Sequence, residues 1–424
     1  MLGTLSYRHF LRISIATVFI LSASQSQALI LYDGDNSANL TSSAETAPQV
    51  IFDSIAKITN SSGTSISGSA VYLRGKYLLT ANHVSISTHV TFDGSTFWER
   101  DAEFTPIRIG PTDMKLIKLI ADPDLPDTEL FQGAVGDTLT EATLIGWGVG
   151  RDPNVADSGF NRTNIWEWGA NNTATKRWGT NQIAQADSGE VTAGYSYDHL
   201  ITFLNSNAGN NEAAATQFDS GSGLFIQSNG SWKLVGLTAA VSTINGPSEA
   251  EPNNPSNSTF GLGTLVTSDR NFFVRIGSYL NQIETALPDT TTYEGWLIDH
   301  SLYDTDALEA ADTDQDGLSQ LMEFAFGGDP NQPDVNRSPS LSVINEGAEM
   351  YLEISFNRPS FENGVNYLAQ TTTDLSNWPD SGNGVEPTPQ ITVQPDGTET
   401  WTYRRSNPIS GAEKAFMRIR LSMQ

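Results

Sequence analysis

The fold of this chain is indicated most directly by the stretch FDSGSGLF, residues 218–225. This stretch places Ser220 in a tight glycine-rich turn just before an apolar segment of β type. In such a turn, neighbouring backbone N–H groups can converge on one substrate oxygen. Hydrolysis of a peptide bond by a serine needs these donors. It also needs a base for the hydroxyl proton and a carboxylate that orients the base.

Two segments nearer the N-terminus offer the base and the carboxylate. LTANHV, residues 79–84, places His83 directly after an apolar strand. TDMKLIKL, residues 112–119, places Asp113 at the start of another strand. Each pattern alone is common in turns and at strand ends. Together the three segments supply every side chain that one hydrolytic site requires.

Other assignments of the serine turn fit less well. Ser222 is a rival nucleophile, but in that register the preceding residue is Gly221 and not an aspartate. The Gly-x-Ser-x-Gly elbow of α/β-hydrolases is not matched, because position 218 is Phe and the acid and histidine would have to follow the serine. Three further histidines lack a motif and are interpreted as structural: His89, His199 and His300.

The surrounding sequence is typical of an all-β protein. Between residues 49 and 273 short apolar runs, such as 69–73 and 224–226, are separated by Gly, Asn, Asp and Ser. Residues 273–283 then carry apolar side chains at helical spacing, and Pro288 follows them. The pattern predicts a barrel or a sandwich that ends in a short helix.

The order His, Asp, Ser and the flanking residues resemble the trypsin/chymotrypsin-like serine proteases over about residues 49–287. TANH at 80–83 is similar to that family's TAAH, DMKLIKL at 113–119 to DIALLKL, and DSGSGL at 219–224 to DSGGPL. GWG at 146–148 resembles the segment that opens the family's second barrel, and FVRIGSY at 273–279 resembles the approach to its C-terminal helix.

The resemblance implies two six-stranded antiparallel β-barrels with a C-terminal helix and an active site in the cleft between them. His83 would be the general base and then the general acid, Asp113 would orient it, and Ser220 would form the acyl-enzyme. The backbone N–H groups of Phe218 and Ser220 would form the oxyanion hole. The implied function is that of a secreted serine endopeptidase acting on protein or peptide substrates, with no cofactor for catalysis.

Three departures from the family pattern bear on this function. Phe218 stands where the family has glycine, so an inactive, protease-like secreted binding or adhesion protein is the alternative. Ala214 stands where the floor of the specificity pocket is expected, which argues against a preference for Lys or Arg. The family's activation sequence is absent, and one hypothesis is that signal removal exposes Leu29, whose ammonium would reach Asp219.

The N-terminus and the charge balance indicate an exported protein. Arg8 and Arg12 flank the start of an apolar run from 13 to 23, and residues 26–28 offer small side chains for cleavage after Ala28. A run this short does not span a membrane, so 1–28 is predicted to be a signal peptide and the mature chain extracellular or periplasmic. The net charge of -26 argues against nucleic acid as a partner, and the chain contains no cysteine.

The segment that follows the protease-like region carries a metal-binding pattern. DTDQDGLSQLME, residues 312–323, matches the calcium-loop spacing, with carboxylates at Asp312, Asp314, Asp316 and Glu323 and the backbone carbonyl of Leu318 as the predicted ligands. No entering helix is evident before the loop, so it resembles the short calcium linkers of bacterial secreted proteins. Calcium is expected to be structural here.

Four regions are therefore predicted along the chain. They are the signal peptide at 1–28, the protease domain at 29–287, an acidic linker with the calcium loop at 288–330, and a small β-sandwich at 331–424. Alternating residues at 350–356 and 415–421 predict strands in the last region. The sequence does not distinguish between three roles for this module: cell-surface attachment, glycan binding and simple stabilisation.

Overall fold

The fold is mostly β, with four short α-helices among the described residues. The computed structural model describes residues 29–32, 37–133, 135, 139–150, 166–192, 194–205, 208–242, 249–250, 270–333, 335–395, 397–409 and 414–424. The predicted signal peptide lies outside the described residues. Among the helices described, none is long and apolar enough to cross a membrane.

The first half of the protease-like region is a seven-stranded antiparallel sheet. A two-residue strand β1 (Ile30–Leu31) and helix α1 (Gln49–Asp53) precede it. The sheet order is β6-β5-β2-β3-β4-β8-β7. Its strands are β2 (Ile55–Thr59), β3 (Gly68–Arg74), β4 (Tyr77–Ala81), β5 (His89–Thr91), β6 (Trp98–Glu99), β7 (Ile107–Arg108) and β8 (Met114–Lys118).

The second half is a closed six-stranded barrel in the order β11-β12-β17-β15-β14-β9. The pairs β1–β13 and β10–β16 form two small sheets beside it. The strands and the helix of this second half, in chain order, are β9 (Thr140–Gly146), β10 (Trp166–Glu167), β11 (Arg177–Thr192), β12 (Tyr195–Phe203), β13 (Ala213–Ala214), β14 (Gly223–Ser228), β15 (Ser231–Ser242), β16 (Glu249–Ala250), β17 (Arg270–Arg275) and α2 (Leu280–Ala286).

The predicted all-β, trypsin-like double-barrel class is confirmed, with two differences in detail. The strand pairs among the described residues close only the second ring, because the edge strands β6 and β7 of the first sheet are two residues long. The helix begins at Leu280 and not at Phe273, because residues 270–275 are held in the barrel by pairing with β12 and β15.

One hydrophobic core joins the two halves. Val71 and Leu79 of the first sheet belong to the same buried cluster as Phe225 and Leu237 of the barrel, and Trp147 lies among them. Burial of such a shared apolar surface is the main force that packs the two halves against each other. The cleft between the halves is therefore held at a defined width.

The acidic connector contains two helices and packs on the first sheet. Helix α3 (Tyr293–Asp299) and helix α4 (Gln320–Phe326) flank the predicted calcium loop. After α3, the hydroxyls of Ser301 and Tyr303 both donate to Asp101 Oδ2, at 2.9 and 2.8 Å. The buried Lys118 ammonium completes this cluster by donating to Asp101 Oδ2 at 2.9 Å.

The C-terminal region has a four-stranded sheet in the order β18-β19-β22-β21 and a separate β20–β23 pair. Its core includes Trp296 of α3 and Phe324 of α4 together with strand residues such as Phe356 and Tyr367. The helices of the connector thus contribute to the core of this region. The strands are β18 (Ser340–Glu346), β19 (Glu349–Pro359), β20 (Val365–Thr372), β21 (Gln390–Val393), β22 (Thr398–Arg404) and β23 (Phe416–Met423).

Candidate active site

The strand topology explains why His83 and Asp113 are neighbours. Strands β4 and β8 are antiparallel, with Ala81 opposite Met114, so the end of one strand lies beside the start of the other. His83 follows β4 by two residues and Asp113 directly precedes β8. Ser220 lies three residues before β14 of the second barrel, across the cleft.

The structure brings the three predicted side chains into hydrogen-bonding contact. His83 Nδ1 lies 2.6 Å from Asp113 Oδ2, and the His83 backbone N–H donates to Asp113 Oδ1 at 3.0 Å. His83 Nε2 lies 2.9 Å from Ser220 Oγ. Asp113 is fully buried, whereas 40% of the His83 side chain is exposed. A buried carboxylate on Nδ1 leaves Nε2 as the nitrogen that can accept the hydroxyl proton.

The two predicted oxyanion donors are available in the serine turn. Phe218 has φ +73°, the left-handed region that usually requires glycine. Ser69 of β3 supports the turn: its Oγ donates to the Phe218 carbonyl and its N–H to the Ser220 carbonyl, each at 2.9 Å. Among the described residues, the N–H groups of Phe218 and Ser220 have no acceptor. Both can therefore donate to a substrate oxygen.

The turn has room for glycine alone at position 221. Gly221 has φ +86°, and a Cβ atom built on it would lie 2.1 Å from the Ser69 carbonyl oxygen. Its N–H donates to the Thr238 carbonyl of β15 at 2.8 Å. The glycine that follows the nucleophile is thus required by both conformation and space.

Asp219 is the buried support of the serine turn. Its Oδ1 accepts the Gly148 N–H at 2.8 Å, and its Oδ2 accepts the Thr216 N–H at 2.8 Å and the Thr216 hydroxyl at 3.0 Å. A Cβ at Gly146 would lie 2.1 Å from Oδ1, and one at Gly148 would lie 2.3 Å from Oδ2. The GWG segment therefore needs both glycines because it encloses this carboxylate.

Burial dominates the electrostatics of Asp219. Loss of solvation raises its pKa to about 7, although the hydrogen bonds from Thr216 and Gly148 and the charge of Arg177 act in the opposite direction. Arg177 is itself 1% exposed, and its Nη1 donates to the Leu29 carbonyl at 2.8 Å.

Leu29 is linked to this carboxylate through Arg177, which donates to the Leu29 carbonyl and whose charge acts on Asp219. Leu29 is completely buried, and the strand after it pairs with β13, with Ile30 opposite Ala214. Leu29 belongs to the same buried cluster as Ala215, the residue before Thr216. This placement bears on the hypothesis that a free Leu29 ammonium reaches Asp219.

A cavity of about 330 Å³ opens beside Ser220. The described residues that line it contribute no carboxylate and no ammonium, and His83 is the one titratable side chain among them. Its lining includes Ser220, Phe218, Gln217, Thr216, Trp168, Thr238, Ala240, Val241, Ser67, Val84 and Ser85.

Ala214, the predicted floor of the specificity pocket, is not among the described residues that line this cavity. Ala214 is 2% exposed and packs in a small cluster with Ile30, Leu204 and Trp168. Trp168 belongs both to this cluster and to the cavity wall. Its indole N–H is buried and has no acceptor among the described residues. No local sequence signal marked Trp168 as part of the cavity wall.

Three of the five predicted calcium ligands lie close together in one loop. Ligand oxygens of Asp312, Asp314 and Asp316 lie within 4.8 Å of one another. Burial and the neighbouring carboxylates of Asp316 and Asp312 raise the pKa of Asp314. At the twelfth position Glu323 is 1% exposed, and at the seventh the Leu318 side chain is 2% exposed. The helix that leaves the loop is α4, and no described helix ends directly before Asp312.

One further side chain was missed in the calcium loop. Gln320, at the ninth loop position, is 1% exposed, and its amide nitrogen donates to the Thr313 hydroxyl. Its Oε1 is buried without a hydrogen-bond donor among the described residues. A buried carbonyl oxygen of this kind suits a hard cation, which prefers oxygen ligands.

Comparison with known proteins was made for both the sequence and the fold. No family model matches the sequence, and no curated protein matches it. A serine-to-alanine mutant of Rv3671c from M. tuberculosis H37Rv, an inactive form, is 15% identical with a TM-score of 0.34, covering 56% of this chain and 87% of that chain. The Rv3671c protease, also an inactive form, is 16% identical with a TM-score of 0.33, covering 56% and 90%. The barrel and sheet themselves define the class as an all-β, trypsin-like double-barrel fold.

Proposed function

We propose that this chain is a secreted serine endopeptidase that uses His83, Asp113 and Ser220. The observation that carries the proposal is the continuous contact from Asp113 Oδ2 to His83 Nδ1 at 2.6 Å and from His83 Nε2 to Ser220 Oγ at 2.9 Å. This is the geometry in which an imidazole can remove the serine proton while a carboxylate stabilises the imidazolium that forms.

The reaction follows from these positions. Ser220 Oγ attacks the scissile carbonyl carbon as its proton passes to His83 Nε2, and the negative charge on the carbonyl oxygen is stabilised by the N–H groups of Phe218 and Ser220. His83 Nε2 then returns the proton to the leaving amine, and the acyl group stays on Ser220. A water molecule then attacks the acyl carbonyl carbon as its proton passes to His83 Nε2. The bond from that carbon to Ser220 Oγ breaks, His83 returns the proton to Oγ, and the acid leaves.

The cavity supports a class of substrate. Since the described lining has no carboxylate, a Lys or Arg side chain of the substrate would lose its hydration without gaining an ion pair. Small or apolar side chains are therefore the proposed preference. The protein or peptide chain itself would be held along the cleft beside Ser67 and Val84.

A fluorophosphonate probe tests the proposal. The full-length secreted protein should be labelled at Ser220, and Ser220→Ala and His83→Ala should abolish labelling. Ser222→Ala is the matched control, because Ser222 is buried and its hydroxyl is hydrogen-bonded to Thr238 Oγ1 at 2.7 Å. Labelling that persists in Ser220→Ala, or that is absent from the folded parent, would contradict the endopeptidase.

An inactive, protease-like binding or adhesion protein is the second candidate. The left-handed Phe218 favours it, because a strained donor position can distort the oxyanion hole. This candidate predicts a folded parent that binds its ligand but does not label or turn over peptide. Mass spectrometry of labelled protein and a peptide-library digest separate the two candidates.

We also propose that the mature chain begins at Leu29 and lies outside the cytoplasm. Cleavage after Ala28 would create an ammonium on Leu29, whose carbonyl binds Arg177, and this ammonium would pair with Asp219, whose pKa burial raises. The ion pair would hold Asp219 ionised and stabilise the serine turn. Mass spectrometry of the active secreted protein showing another N-terminus would contradict this activation route.

Calcium is proposed as a structural ion of the loop at 312–323. The fit rests on three converging carboxylates and on the buried Oε1 of Gln320. The ion would order the start of α4, whose Phe324 packs against Trp296 of α3 with ring centroids 5.6 Å apart. It would thereby stiffen the joint between the first sheet and the C-terminal sandwich. Catalysis requires no metal in this proposal.

Calorimetry with CaCl2 tests the calcium proposal. The parent should bind one ion and unfold at a higher temperature with calcium than with EDTA, because the ion binds the folded loop. Asp314→Asn and Gln320→Leu should weaken binding, and Asp374→Asn, in an exposed turn outside the loop, is the matched control. An unchanged melting temperature with no heat of binding would exclude the site. The role of the sandwich, whether surface attachment, glycan binding or stabilisation, stays a separate question.

A further inference from the structure

Lys115 lies close to His83 and Asp113 but takes no part in the proposed reaction. It is on β8, two residues after Asp113, and is 7% exposed. Its ammonium donates to the carbonyl oxygen of Asn82 at 2.9 Å and to that of Val84 at 2.6 Å. These are the two residues on either side of His83, so one buried side chain is attached to both ends of the turn that carries the base.

Asp113 holds the same turn from the adjacent position. Its backbone carbonyl accepts the Asn82 N–H at 3.1 Å, and its side chain accepts the His83 N–H at 3.0 Å. Residues two apart on a strand point to the same face. Asp113 and Lys115 therefore approach the turn from the same side. Asp113 accepts hydrogen bonds from the N–H groups of the turn, and Lys115 donates to its carbonyl groups.

The chemistry of the contact favours an ammonium in particular. Val84 is 4% exposed, so its carbonyl is largely shielded from water and needs a donor within the protein. An apolar side chain at 115 would leave both carbonyls without this donor. Burial lowers the pKa of Lys115, while the charge of Asp113 raises it, so the carboxylate helps to keep the ammonium protonated. The family motif that residues 113–119 resemble has alanine at this position.

We propose that Lys115 is a positioning residue for His83: by binding the carbonyls of Asn82 and Val84 it holds the imidazole between Asp113 and Ser220. This inference rests on the proposed function for its kinetic consequence. Its structural consequence, the placement of the imidazole against Asp113, does not depend on turnover.

Lys115→Met removes the ammonium and keeps most of the side-chain volume. We expect kcat for a peptide substrate and the fluorophosphonate labelling rate to fall by about 10- to 100-fold, since a displacement of about 1 Å in a reacting group has effects of this size. KM should change less than kcat, because most of the cavity lining lies outside this turn. The matched control is Lys76→Met. Lys76 donates to the Asp299 carbonyl at 2.7 Å at the other end of β4, so its loss should leave kcat unchanged.

Chemical rescue separates positioning from a general loss of stability. The chain contains no cysteine, so Lys115→Cys can be alkylated at one site in denaturant and then refolded. Aminoethylation restores an ammonium at nearly the length of lysine, whereas propylation restores only the apolar chain. The aminoethyl form should regain kcat and the propyl form should not. Equal kcat in the two refolded forms would overturn the proposal.

A proton NMR signal gives a readout that is independent of catalysis. The proton in the 2.6 Å contact between His83 Nδ1 and Asp113 should resonate far downfield in the parent, and Lys115→Met should broaden or shift it. Lys76→Met should leave it in place. If the parent fails to label but Lys115→Met still alters this signal, the peptidase fails and the positioning role stands. An unchanged signal together with unchanged kcat in folded Lys115→Met rejects the positioning role alone.

Discussion

The two sides of the cleft are held by different means. On the side of the first sheet, the turn that carries His83 is fixed by Asp113 and Lys115 of the adjacent strand. On the side of the barrel, the turn that carries Ser220 contains a left-handed Phe218 and rests on the buried carboxylate of Asp219. The position of His83, the proposed base, thus depends on the neighbouring strand. The position of Ser220, the proposed nucleophile, depends on groups from distant parts of the chain, such as Gly148.

The largest expected effect comes from replacing either His83 or Ser220, the two side chains that meet across the cleft. Ser220→Ala and His83→Ala should each lower kcat/KM by about 10⁴-fold or more, because each group acts only in concert with the other. The double variant should be little worse than either single one. Additive losses, measured by steady-state kinetics, would mean that the two sides do not act as one unit.

Gly148→Ala tests the barrel side without touching a reacting group. Its new Cβ would lie 2.3 Å from Asp219 Oδ2, so the carboxylate and the serine turn must shift. We expect a loss of about 100-fold in kcat, in line with a misplaced nucleophile. Gly382→Ala, where the nearest atoms lie at 3.6 Å, is the control that should leave the rate unchanged. A Gly148→Ala variant with unchanged kcat would show that catalysis does not require this position of the Asp219 carboxylate.

Asp219→Asn tests the barrel side of the cleft through the pH dependence of the free energy of unfolding. Burial raises the pKa of Asp219 from 3.8 to about 7, so between these values the folded chain keeps a proton that the unfolded chain has released. The contribution of this group to the free energy of unfolding therefore falls as pH rises from about 4 to 7. The asparagine variant should gain stability relative to the parent over that range in urea denaturation.

The same measurement reports on the N-terminus. A chain that begins at Leu29 should show a smaller pH effect than one with an additional residue before Leu29, if the free ammonium pairs with Asp219. A difference between variant and parent that is constant from pH 4 to 7 in both forms would contradict the raised pKa.

The smallest effect is expected from Phe218→Gly. Glycine relieves the cost of the left-handed conformation, about 1–2 kcal/mol, but also increases the freedom of the unfolded chain. We expect a net change in the free energy of unfolding within about 1 kcal/mol, and a labelling rate equal to or up to about tenfold above the parent. A large loss of labelling would show that the phenyl ring itself supports the substrate.

Local patterns determined a great deal about this protein. The alternation of short apolar runs and turn residues predicted the all-β class, because strand formation depends on neighbouring residues. The calcium spacing also lies within twelve consecutive residues, and the loop brings Asp312, Asp314 and Asp316 together. The three residues predicted for catalysis were chosen from short motifs, and the structure places their side chains in contact.

Other features were decided only by the tertiary structure. The contact of Lys115 with the turn of His83 spans 31 residues or more, and the Gly148 bond to Asp219 spans 71. Trp168 in the cavity wall, and Ala214 outside it, depend on how separate loops pack. No periodicity within a segment encodes such contacts, because they depend on which strands and loops, distant along the chain, pair or pack together. The sequence alone therefore identified the candidate chemical groups, and the tertiary structure decided which further residues hold them in place.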